Sequence, residues 1–183
     1  MARVAYLDEA DVAPEFHDLL ARRVNLNRAL IHSPRGARAF WELAGYIRHA
    51  SPLDPRVRQL AILQIGWVAR SPYEWSHHIK LSYGFGVSDD DIAALIDESN
   101  GTPTNLDPLA RLALLAAREM YAGPGVGEAT FAALAKLLTA EHLTDLVVAI
   151  GFYIGVVRIL ASLQIDVEPE YEQYLERYPL PAW

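Results

Sequence analysis

Apolar residues recur at helical spacing along almost the whole chain, and no run alternates in the way a half-buried strand would. That single pattern restricts the chain to an all-α fold. It also marks a centre. Leu60, Ala61, Ile62, Leu63, Ile65, Trp67 and Val68 leave the segment from Pro55 to about Arg70 apolar on most sides, so a helix buried in the middle of a bundle is expected there. Asp54 can cap it while Pro55 takes the first helical position.

Further helices are expected on either side. Val12, Phe16, Leu19 and Leu20 form a helical stripe over 12–22, and others follow over 25–32, 35–49, 73–83, 91–97, 108–121, 128–138 and 141–163. Ser33-Pro34, Ser71-Pro72 and the turn 84–87 punctuate them. Residues 99–107 form the best candidate loop. Ser88 with Asp91 resembles a capping box, and Thr139 is placed to cap the last long helix. The tail over 168–183 carries Tyr171, Tyr174 and Tyr178 and is expected to pack as a short helix. With no linker or repeat, residues 1–183 read as one helical-bundle domain with an N-terminal extension over 1–24.

Composition then removes whole classes of function. Sixteen Lys+Arg against 23 Asp+Glu give a net charge of -7, so there is no overall basic footprint for nucleic acid. Zero cysteines exclude disulfides, thiolate zinc sites, iron–sulfur ligation and thiol redox chemistry. The start lacks the apolar stretch of a secretory signal. The run from Leu146 to Val157 stops at Arg158, short of the roughly 20 residues that span a bilayer. A cytoplasmic protein that does not engage a membrane is the expectation.

Glu74 and His78 stand four apart, so their side chains share a helix face. The pair could be a general acid and its orienter, half of a metal site, or a helix-stabilising contact worth about 0.2–0.5 kcal/mol. His77 points away from His78 and is expected to be solvated or packed. Arg56 and Arg58 sit in the first turn of the central helix, where positive charge opposes the helix dipole. A guanidinium there could hold a carboxylate from a substrate or from a neighbouring acid. The Gln59 amide could orient a substrate or satisfy a buried group. His142 and Tyr153 could reach a central pocket, although a buried tyrosine hydroxyl usually just finds a hydrogen-bond partner.

Arg56-x-Arg58-Gln59-Leu-Ala-Ile-Leu, Tyr73-Glu74-Trp75-x-x-His78 and Gly86-Val87-Ser88 with Ile92 resemble the carboxymuconolactone decarboxylase family, whose superfamily also contains alkylhydroperoxidase D. The likeness runs from about Asn25 to Val167. It implies an all-α bundle of the alkylhydroperoxidase D-like type that assembles as a homo-oligomer, a dimer, trimer or hexamer. In the peroxidase branch two cysteines, a histidine and a glutamate form the site; carried over, these fall on Ser71, Glu74, His78 and Gln59. Only the histidine is kept, and a hydroxyl cannot cycle through a disulfide, so thiol peroxidase chemistry is excluded. The resemblance instead implies a cofactor-free and metal-free lyase or isomerase acting on a small organic acid or lactone. In that reading Glu74 keeps His78 charged as the proton donor, Arg56 or Arg58 anchors a carboxylate, and Tyr73 or Tyr153 donates a hydrogen bond. Gln59 stands where the decarboxylase branch often has an acid. That departure keeps open a non-catalytic ligand-binding or structural oligomer, and a metal-dependent enzyme using Glu74 and His78 is the third reading.

Overall fold

The computed structural model describes residues 2–181, so Met1 and, of the tail, Ala182 and Trp183 lie outside it. Nine α-helices are described: α1 (Asn25–Leu30), α2 (Pro34–Gly45), α3 (Pro55–Val68), α4 (Pro72–Ser82), α5 (Asp89–Ser99), α6 (Pro108–Ala122), α7 (Glu128–Leu134), α8 (Ala140–Leu163) and α9 (Pro169–Arg177). There is no strand among the described residues.

The central helix is α3. Asp54 caps it by accepting from Val57 N, and every residue from Val57 to Trp67 is buried. One side of α3 (Val57, Ala61, Ile62, Ile65) packs with Ala113, Ala117, Leu146, Ala149, Ile150 and Tyr153 of α6 and α8. The opposite side (Leu60, Leu63, Trp67) packs with Trp75, Ile79, Ile92, Leu95 and Leu114 of α4, α5 and α6. Gly66 lets α4 come close: a Cβ there would lie 3.1 Å from the Trp75 backbone nitrogen. This approach brings the first turns of α3 and the middle of α4 within side-chain reach of one another.

Four expectations need correction. The 12–22 stripe folds as a 3₁₀ segment, Pro14–Leu20, preceded by a short one at Glu9–Asp11; a three-residue period sets Phe16 above Leu19, against a small cluster of Leu20, Ile31 and Ala37. The helix expected over 35–49 changes at Tyr46 into a π-helical turn, Tyr46–Ala50. Helix α5 starts two residues earlier than expected, because Ser88 and Asp91 form a complete capping box and three aspartates fill its first turn. Helix α7 stops a turn early, at Leu134. The uncharged run 146–157 lies inside the longer helix expected over 141–163: the 24 residues of α8 are long and apolar enough to cross a membrane by length and composition. In the fold α8 packs against α3 and α6, with Asp145 buried and bonded to Tyr46 and Ser51. One face of α8 is thus built into the core.

The tail folds as expected into a short helix, α9. Glu168, just before it, accepts from Asn25 N and from the Tyr73 hydroxyl. Trp75 Nε1 donates to the Tyr178 carbonyl at 2.8 Å.

Candidate active site

A cleft opens where α4, α8, α2, the π-turn and the N-terminal segment meet. Its floor carries Glu74, His78 and Tyr153, and Phe40, Trp41, Phe152 and Val156 wall it. The cavity is narrow, with a volume of about 50 Å³.

Helix α4 begins at Pro72, with Ser71 accepting from Glu74 N at 3.4 Å. Ser71, at the position of a family thiol, therefore serves as a helix cap. One turn on, His78 Nε2 lies 3.0 Å from Glu74 Oε1, and both side chains are almost wholly buried. That oxygen has no well-aligned donor, so the contact is close but falls short of a directed hydrogen bond. The other ring nitrogen, Nδ1, donates to Gln59 Oε1 at 3.0 Å. A carbonyl oxygen can only accept, so Gln59 fixes the proton on Nδ1 and leaves the Nε2 lone pair facing Glu74.

Burial sets the ionisation of this pair. It lifts the Glu74 carboxyl to about 8, although Arg48 pulls the other way. Burial also holds His78 well below its ordinary value, helped by the positive charges of Arg48, His77 and Arg22. Both shifts favour a neutral imidazole beside a protonated carboxyl. The expected imidazolium is thus corrected: the transferable proton rests on Glu74. Tyr153 meets the His78 ring edge-on at 4.8 Å. Burial, then Glu74, push its hydroxyl upward, which keeps it a neutral donor.

The arginines are also placed differently from expectation. Arg56 forms a forked ion pair with Asp91 and a second one with Asp107 at 2.8 Å, so it joins α3 to the starts of α5 and α6 and lies outside the cleft. Buried Arg58 donates to the Leu53 carbonyl at 2.8 Å and to the Arg48 carbonyl at 2.9 Å. It clamps the π-turn and does not line the cleft. The cations at the cleft are Arg22 and Arg48. Sequence spacing missed both, because Arg22 arrives from the N-terminal segment and Arg48 from a π-turn that a regular helical period does not foresee.

Tyr73 and His77 line the cleft too, but their polar atoms face another partner. His77 is sandwiched between Tyr73 and Tyr171, with ring centroids 3.9 and 3.6 Å away. Its Nδ1 donates to the Tyr73 carbonyl at 2.8 Å, and Nε2 lies 2.9 Å from Glu168. The Tyr73 hydroxyl accepts from Leu26 N and donates to Glu168. His142 lies away from the cleft, at the α8 N-terminus where Thr139 caps its amide. No group of three His, Asp or Glu that could hold a metal ion occurs among the described residues, so Glu74 and His78 stand as a pair.

Residues 34–119, which carry Gln59, Glu74 and His78, match the carboxymuconolactone decarboxylase family. The match spans a little under half of the chain. Its fold recurs in solved structures of low sequence identity. The debrominase Bmp8, crystallised with 2,3,4-tribromopyrrole, is 17% identical with a TM-score of 0.80, over 97% of this chain and 99% of that one. An alkylhydroperoxidase AhpD core, an uncharacterized peroxidase-related protein from Ralstonia eutropha, is 18% identical with a TM-score of 0.77, over 95% of each chain. A peroxidase-related protein from a Silicibacter species is 16% identical with a TM-score of 0.69, over 91% and 93%. No curated protein matches the chain. The chain has no cysteine, and its AhpD-like all-α bundle houses a Glu–His pair without any thiol.

Proposed function

We propose that this protein is a cofactor-free lyase or isomerase that moves a proton on a small organic acid or lactone. One observation supports the reading above the others: a buried Glu74–His78 contact at 3.0 Å, with the imidazole tautomer held by Gln59, at the floor of a cleft. Loss of CO₂ from a vinylogous β-keto acid leaves the bonding electron pair as a dienolate, which takes a proton at carbon. Glu74 is the donor, and solvent returns a proton to its carboxylate before the next turnover; neutral His78, its Nε2 lone pair facing Glu74, positions the carboxyl, and the Tyr153 hydroxyl steadies the enolate oxygen. A donor of this kind works while protonated.

The test is turnover of 4-carboxymuconolactone and related lactone acids across pH, with Glu74→Gln and His78→Ala beside the parent. The expected rate is flat below neutrality and falls as pH rises through about 8, where Glu74 loses its proton. Turnover unaffected by either substitution would overturn the reading. The narrow cavity and the amide at Gln59 favour a second reading, a ligand-binding protein without catalysis. It prevails if candidate acids bind and none is converted.

We also propose assembly with further copies of the chain. Only 39% of the most apolar stretch of α8 is buried within the chain, and Phe131 and Val148 stand exposed beside a groove along α7 and α8.

A further inference from the structure

Six of the fourteen arginines, Arg23, Arg28, Arg38, Arg56, Arg111 and Arg177, each pair with an Asp or Glu. Arg22 and Arg48 have no acid partner among the described residues. Arg48 gives Nε to the Ala44 carbonyl at 3.2 Å and lies over the Trp41 ring at 5.5 Å, which leaves the outer fork of its guanidinium unused. In a chain with 23 acids against 16 Lys+Arg, two uncompensated cations in one place need an explanation.

Their location supplies it. Arg22, Trp41 and Arg48 line the inner cleft and also a shallower cavity of about 200 Å³ outside it, so they form the neck between the two. Asp18, the acid of the outer cavity, has both oxygens bonded to Arg38. The Trp41 indole N–H is buried with no acceptor. The neck therefore gathers donors without acceptors, whereas the walls inward of it, Phe40, Phe152 and Val156, are apolar and partly aromatic. A forked donor pair matches a carboxylate, and aromatic walls match a flat unsaturated body.

We propose that Arg22 and Arg48 form an anion-binding collar at this neck, which takes the carboxylate of a planar aromatic or conjugated acid and directs its body inward. The anionic end then stays at the collar, and the body extends toward Glu74 and His78. Only that last placement rests on the proton-transfer reading; the collar itself does not. It follows that a substrate of this site carries an anionic group that survives the reaction.

Calorimetric titration with benzoate, benzamide and inorganic phosphate tests the collar. Benzoate is expected to bind the parent at least about tenfold more tightly than benzamide, because the amide forgoes the charge-assisted bonds. Arg22→Met and Arg48→Met should each weaken benzoate by about tenfold or more, while Arg23→Met, which removes the neighbouring surface charge, leaves it unchanged. Glu74→Gln should keep benzoate affinity even where turnover is lost, so failure of the catalytic reading and failure of the collar give different results. Equal affinity for benzoate and benzamide, or benzoate bound undiminished by the Arg22→Met/Arg48→Met double variant, overturns the proposal. Phosphate binding as tightly as benzoate overturns the planar body. Should a variant fail to fold, the comparison of the three ligands on the parent decides.

Discussion

At the scale of single residues, the Glu74 carboxyl gains its character from burial and has a measurable cost. Its folded value is raised to about 8 from an ordinary 4.5. Between those limits the folded chain holds a proton that the unfolded chain releases. The stability contributed by the neutral carboxyl is thus complete below about 4.5 and is lost as pH rises toward 8, at a slope of up to about 1.4 kcal/mol per pH unit. Glu74→Gln removes that dependence. Urea titrations from pH 5 to 8 should show the variant gaining on the parent steadily with pH; a constant gap would mean the carboxyl is ionised throughout. His78 acts in the opposite direction in both proteins. Its folded value is depressed, so both lose stability as pH falls below about 6.5, where the unfolded imidazole takes up a proton. The i,i+4 spacing made the pair legible in the sequence. Which partner holds the proton was not, because that depends on desolvation by helices remote in the chain and on Gln59, a position whose amide looked like a defect until its oxygen was seen to accept from Nδ1.

At the scale of elements, two devices hold the site, and they differ in legibility. Helix α3 was readable from its apolar circumference and its Asp54-Pro55 start, but the role of Gly66 was not, since it concerns what another helix needs. Gly66→Ala would push a methyl group against the α4 backbone. A loss of about 1–3 kcal/mol is expected, together with a changed His78 environment in NMR spectra. The π-turn is the second device. Arg58 bonds its Arg48 carbonyl from one side, and on the other Asp145 accepts from Tyr46 at 3.0 Å and from Ser51 at 2.5 Å. Arg58→Met leaves buried carbonyls at Leu53 and Arg48 without donors. A cost of about 2–4 kcal/mol in denaturant unfolding is expected, and the turn presenting Arg48 should loosen. The guanidinium expected to meet a ligand instead positions the one that faces the cleft.

At the scale of the whole molecule, the helical class and the likeness over residues 34–119 to the carboxymuconolactone decarboxylase family were both legible, because periodicity and the Tyr-Glu-Trp-x-x-His segment are local properties. The cleft was not, since four separate stretches of sequence build it. The outer face of α8 belongs to this scale as well. If copies associate through it, Val148→Asp should lower the sedimenting mass without changing the circular dichroism of the chain; an unchanged mass would place the contact elsewhere or remove it. The ends of the described chain close along one seam. Arg3 N bonds the Leu163 carbonyl, the Asp166 backbone N–H donates to the Tyr6 hydroxyl, and Glu168 accepts from Asn25 N. Each of these bonds spans at least 143 residues of sequence. Bonds near the surface such as the one from Asp166 N to Tyr6 open more readily than those of α3, which is buried from Val57 to Trp67. The stretch carrying Arg22, Val24 and Leu26 over the cleft is therefore the natural breathing point of the molecule. Its amides should exchange with solvent well before those of α3, and an occupant of the cleft would be felt there as slowed exchange along the segment that Leu26 anchors to the core.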